Sequence, residues 1–164
     1  MYWPADGEEE FGDVFVKLLT THVFAEYTVR HLRLSKSGEA FRELTQFHFT
    51  AWPDKSVPES PWGVVDLYQR VMAVPGSGPI LVHCSAGVGR TGTFIGLCNL
   101  LQEAEVTGKM DFRATLWKLR QERMHTIQTI SFKILSMALY ATFQPDLPLP
   151  EHALVDFFRY GPQL

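Results

Sequence analysis

Cysteine is scarce in this chain: there are two, Cys84 and Cys98, in 164 residues. Two thiols do not make a disulfide framework, so the pattern excludes a bridge-stapled secreted scaffold and suits a reducing, cytoplasmic setting. No apolar run approaches the roughly 18–20 residues of a membrane span, and Met1-Tyr2-Trp3 does not lead into a signal-peptide core. An excess of positive charge is missing too. Lys and Arg number 15 against 18 Asp and Glu, a formal net charge of -3, which leaves no electrostatic footprint for nucleic acid. Six histidines occur, but no pair has metal-ligand spacing with suitable neighbours, so no metal is expected. Internal repeats are absent. What is present is 46% hydrophobic and 13% aromatic residues, enough for one sizeable core.

The most informative stretch is residues 83–92, His-Cys-Ser-Ala-Gly-Val-Gly-Arg-Thr-Gly. The apolar Pro79-Ile80-Leu81-Val82 precedes it and predicts a buried strand. Thr93 to Leu101 follows and predicts a helix from about 91 to 105. Strand, small-residue loop and helix in that order make an anion cradle. Gly87 and Gly89 let the backbone curl so that the N–H groups of Ser85, Ala86, Gly87, Val88 and Gly89 turn into one hollow. The helix N-terminus adds its own unpaired N–H groups and partial positive charge. Such a hollow suits a phosphate. Cys84 at its base becomes a thiolate nucleophile, favoured by the loop amides, the helix and Arg90. The planar fork of Arg90 matches two phosphate oxygens. The Thr91 hydroxyl is placed to hydrogen-bond the sulfur. His83 is placed to tune the thiolate and order the loop.

Residues 47–58 add a second element, Phe47-His48-Phe49-Thr50 as a strand followed by the loop Trp52-Pro53-Asp54. Expelling a phenolate from a phosphate ester needs a proton on the leaving oxygen. A carboxylic acid on a closing loop supplies it and then serves as base toward water. Asp54 fits that role, with Trp52 as the hydrophobic hinge.

With these residues the chain resembles the phosphotyrosine-specific protein tyrosine phosphatases, over about residues 2–143. The cysteine loop at 83–92, the acid loop at 52–54 and the segment Arg120-Gln-Glu-Arg-Met-His-Thr-Ile-Gln-Thr129 carry the likeness, together with Tyr2-Trp3-Pro4. The resemblance implies that Gln128 positions the hydrolytic water and that Arg123 braces the cysteine loop from behind. It implies an α/β fold, a highly twisted mixed sheet flanked by helices. It also implies phosphotyrosine-containing proteins as partners, no cofactor, and a cytoplasmic chain or the intracellular domain of a membrane receptor. Oligomeric state is not implied.

The chain departs from the family pattern at named positions. Lys55 and Ser56 follow the acid where His or Phe and then Gly are usual. Phe132 stands where a second glutamine is usual, which implies slower hydrolysis of the intermediate. The likeness starts partway into the family's domain, so the N-terminal part of that domain, with its tyrosine loop, is expected upstream of Tyr2 and missing here. Two alternatives follow: a catalytically weak or silent phosphotyrosine-binding domain, and a dual-specificity phosphatase. Intact Cys84, Arg90 and Asp54 oppose the first. The strand-rich lead and the Gln128 segment oppose the second.

Periodicity organises the rest. Strands are expected at Phe11 to Thr20, Phe24 to Leu34 and Leu44 to Thr50, with Glu8–Glu10 a solvated turn. Helices are expected at Pro61 to Val74, Lys109 to Arg123 and Thr129 to Phe143. Val64, Val65, Leu67, Tyr68, Val71 and Met72 form the inward stripe of the first, and Phe112, Leu116 and Leu119 that of the second. Cys98 and Trp117 are expected in the core and His48 at a polar or solvated position. The catalytic domain is expected over 1–143. The three prolines between Gln144 and Pro150 open a linker and tail over 144–164.

Overall fold

The computed structural model describes residues 1–53, 57–75 and 78–127. Its elements are β1 (Glu8–Phe11), β2 (Val14–Val23), β3 (Tyr27–Lys36), β4 (Arg42–Phe49), α1 (Trp62–Met72), α2 (Arg90–Thr107) and α3 (Phe112–Glu122). This is the α/β composition expected. The four strands form one open sheet in sequence order, and every pairing is antiparallel. Two compact units result, the first holding the sheet and α1, the second holding α2 and α3.

In the first unit the expected strands are present with shifted ends. Glu8–Glu10 is strand rather than turn. The reversal comes after it, at Gly12-Asp13, where Gly12 takes φ 67 in a two-residue hairpin connection. Glu8 then lies opposite Lys17, and charges on an exposed edge strand discourage further pairing. A register shift interrupts β2 between Leu18 and Thr20. Tyr27, Thr28 and Val29 are buried in succession, so β3 is covered on both faces at that end. The Tyr27 hydroxyl donates to Asp66 of α1, and Asp66 also accepts from Arg70. Arg70 in turn lies 4.5 Å over the Phe24 ring. Near the other side chains of β3, Trp3 receives Arg30 at 5.0 Å, and Gln46 donates to the Tyr2 hydroxyl over 3.2 Å. Pro4 is fully buried. The Tyr2-Trp3-Pro4 run is therefore packed against the sheet. His48 is exposed, as expected, with its ring 5.6 Å from that of Trp3. On α1, Val64, Val65, Leu67 and Tyr68 are buried, whereas Met72 at the last turn is exposed.

The second unit has its core where α2, α3 and the following loop meet. Leu100, Leu119 and Ile127 form it, with Ile95, Met110, Phe112 and Leu116 packed around. Asp111 caps α3 by accepting from the Ala114 N–H over 2.8 Å. Two expectations are corrected here. Trp117 is exposed, not core, because it lies one residue, about 100° around the helix, from Leu116 on the apolar stripe. Residues 79–83 are not a strand, and Leu81 is 89% exposed. A strand needs a ladder partner for its backbone groups, and the sheet of described residues closes its pairings at β4 without this segment. The expected helix at 129–143 and tail at 144–164 lie outside the described residues.

Candidate active site

The loop after residue 83 turns because Gly87 adopts φ +68, a left-handed conformation that side-chain-bearing residues resist. Gly89, expected to share that task, does not: it has φ -75 and serves as the N-cap of α2. The turn brings the Gly87 N–H to Cys84 Sγ at 3.2 Å. No side chain caps this end of α2, and the Thr91 N–H of its first turn serves Cys84 instead. Arg90 is the first residue of that helix and is half-buried.

The electrostatics of Cys84 follow from this geometry. Burial pushes its thiol up. The Thr91 hydroxyl and the backbone N–H groups of Thr91, Gly87 and Val88 outweigh burial and bring the pKa down from 9.0 to about 7. Of the causes expected from sequence, the loop amides and the Thr91 hydroxyl are the ones that lower the thiol's pKa. The Thr91 oxygen is buried and meets no hydrogen-bond partner at standard geometry. The thiolate is the acceptor that its proton favours. Cys98, by contrast, is pushed up to about 11 by burial inside α2. The two thiols are sorted into a reactive and an inert one.

Behind the loop stands the segment after α3. Arg123 leaves the helix in an extended conformation and donates through Nη2 to the Ala86 carbonyl over 3.2 Å. The same nitrogen lies 3.2 Å from where a Cβ on Gly87 would sit. Ile127 N–H donates to the Val88 carbonyl over 3.0 Å. At Gly92 an added Cβ would come within 2.5 Å of Thr126 Cγ2 and 3.1 Å of the Ile127 nitrogen. Sequence reasoning missed one contributor. Arg120 donates to the carbonyls of Thr126 over 3.2 Å and Ile127 over 3.1 Å. The signal was its place three residues before Arg123, in the last turn of α3.

Cys84, Ala86, Gly87, Val88, Thr91 and Arg123 are therefore one constellation. Ser85 and His83 are exposed beside it. In the first unit, Trp52 is anchored edge-on to Phe49 of β4 with ring centroids 6.1 Å apart. Asp54 and Gln128 lie outside the described residues. Chemically, the constellation is a low-pKa thiol within a ring of N–H and O–H donors.

The sequence profile described as protein-tyrosine phosphatase matches residues 1–141. Receptor-type tyrosine-protein phosphatase F of Bos taurus is 44% identical over 131 residues, 78% of this chain and 7% of that protein. Receptor-type tyrosine-protein phosphatase alpha of Mus musculus is 38% identical over 133 residues, 79% of this chain and 16% of its own length. The human alpha protein is 38% identical over 133 residues, 79% of this chain and 17% of that protein. The chain thus spans under a fifth of the length of these relatives. Among the described residues, no helix is long and apolar enough to cross a membrane.

Proposed function

The chain belongs to the protein-tyrosine phosphatase family, and from that premise we propose that it hydrolyses phosphotyrosine in proteins through a cysteinyl-phosphate. The observation that carries this reading is Cys84, with a pKa of about 7 at the base of the donor-lined loop. At neutral pH a large share of it is thiolate, the attacking form.

In the first step the Cys84 thiolate attacks phosphorus and the bond to the tyrosyl oxygen breaks. That oxygen takes its proton from Asp54. The loop amides and the Arg90 guanidinium offset the charge on the phosphoryl oxygens. In the second step, water oriented by Gln128 gives a proton to the Asp54 carboxylate and attacks phosphorus. Inorganic phosphate leaves, and the sulfur departs as thiolate, stabilised by the Thr91 hydroxyl. Trp52, seated on Phe49, is the hinge of the acid loop. The reaction uses no cofactor, and its partners are phosphotyrosine-bearing proteins. The setting is cytoplasmic, either as a free chain or as an intracellular region of a receptor.

The test is turnover of a phosphotyrosyl peptide. Cys84→Ser removes it while phosphate binding survives, because an alcohol does not ionise near neutral pH. Asp54→Ala lowers kcat by orders of magnitude with peptide affinity near normal, and far less for an ester whose leaving group needs no proton. Wild-type turnover by Cys84→Ser would exclude the nucleophile. A second reading, a silent phosphotyrosine-binding domain, is favoured by Phe132 in place of a water-confining glutamine. Peptide binding without any phosphate release by the unmodified chain would select it.

A further inference from the structure

We propose that Arg120 is a positioning residue for the hydrolytic step, acting through the backbone of residues 126 and 127. This rests on the assignment of the water-orienting role to Gln128, which follows directly in the chain.

Three observations converge on this short stretch. His125 and Ile127 both have φ 62. Ile127 is β-branched, and a left-handed conformation there persists only when its surroundings hold it. Its N–H is held by the Val88 carbonyl of the cysteine loop. Its carbonyl is held by Arg120 Nη2, while Arg120 Nε holds the carbonyl of Thr126. The Ile127 carbonyl is half of the planar peptide unit that joins Ile127 to Gln128. A guanidinium is suited to this clamp because its donors are fixed in one plane and it stays charged. Its Cα is on the last turns of α3, whose Leu119 is in the core, so the clamp is fixed at its base. The packing of Gly92 against Thr126 and Ile127 closes the other side. Arg120 touches no reacting atom. It sets the strained backbone that leads into Gln128, while Arg123 serves the cysteine loop.

The experiment uses Arg120→Met, which keeps the aliphatic stem, with Arg120→Lys and Gln128→Ala in parallel. In Arg120→Met the pre-steady-state burst and kcat/KM stay near wild type, while kcat and KM fall together by about tenfold, the effect of losing charge-assisted hydrogen bonds. Acid quenching then traps phosphate on Cys84. Arg120→Lys recovers part of the loss. Hydrogen exchange gives a reading that does not need turnover: the Ile127 amide exchanges about tenfold faster in Arg120→Met, with the α3 amides unchanged. A burst reduced as much as kcat, or unaltered exchange at Ile127, would overturn the inference. If Gln128→Ala traps phosphate and Arg120→Met does not, the inference fails and the Gln128 assignment stands. If only Arg120→Met traps it, the Gln128 assignment falls and the inference, which acts through that residue, falls with it.

Discussion

Gly87 donates its backbone N–H to Cys84 Sγ across 3.2 Å. The residue that reverses the loop therefore also stabilises charge on its thiol. Arg123 presses on the outside of the same turn, with Nη2 3.2 Å from the position a Cβ of Gly87 would take. One small residue is constrained from within by sulfur and from without by a guanidinium.

Gly87→Ala is thus expected to cost about 1–2 kcal/mol, the penalty of a left-handed conformation for an L-residue. It should also raise the pKa of Cys84 as the N–H is displaced. Urea unfolding and the pH dependence of alkylation measure the two effects. Wild-type stability together with an unshifted thiol would mean that the turn tolerates a side chain.

The thiols should separate cleanly by pH. Cys84 should react with iodoacetamide with a midpoint near pH 7, whereas Cys98 should need pH near 11. Peptide mapping after short exposures across this range checks it. The sign for stability follows from the lowered value. Folding favours the thiolate, so the stabilisation is full above pH 9 and fades as pH falls toward 7. Cys84→Ser should flatten that part of the stability profile.

Thr91→Ala should move the Cys84 midpoint upward, because its hydroxyl leads the contributions that lower the thiol's pKa. Thr91→Ser should leave it nearly unchanged. If both variants titrate like the parent, the hydroxyl does not serve the sulfur and its buried oxygen has another purpose.

Gly92→Ala should be costly although the position is helical and alanine is the better helix former. Its Cβ would meet Thr126 Cγ2 at 2.5 Å and the Ile127 nitrogen at 3.1 Å. Overpacking of this kind costs about 1–3 kcal/mol. Thermal unfolding checks this, and a stabilised variant would show that the loop after α3 yields easily.

In the first unit, Tyr27→Phe should destabilise by about 1.5–3 kcal/mol, the range for a hydrogen bond to a charged group. Burial first, and the bond to Asp66 second, raise the Tyr27 pKa to about 12. This contribution to stability is complete below pH 10 and disappears as pH rises through about 12. Ultraviolet titration should show a late-ionising tyrosine signal that is lost in Tyr27→Phe.

Local order in the sequence determined much of this protein. Alternation and turn residues located three strands, and the apolar stripe of Phe112, Leu116 and Leu119 located α3, because each signal resides within one or two turns of chain. The donors to the Cys84 sulfur were legible for the same reason: they lie within seven residues of it. What depended on distant pairing was not legible. Pro79 to Val82 has the composition of a buried strand, yet composition cannot supply a ladder partner. Glu8–Glu10 resembles a turn until Lys17 is placed opposite. Gly87 and Gly89 looked equivalent, and only the tertiary path gave one of them the positive φ. The grip of Arg120 on Thr126 and Ile127, and of Arg123 on Ala86, joins segments whose meeting was decided by the packing of Leu100, Leu119 and Ile127. Side-chain chemistry is written residue by residue, but a hydrogen bond between separate segments exists only where burial of apolar surface has brought them together.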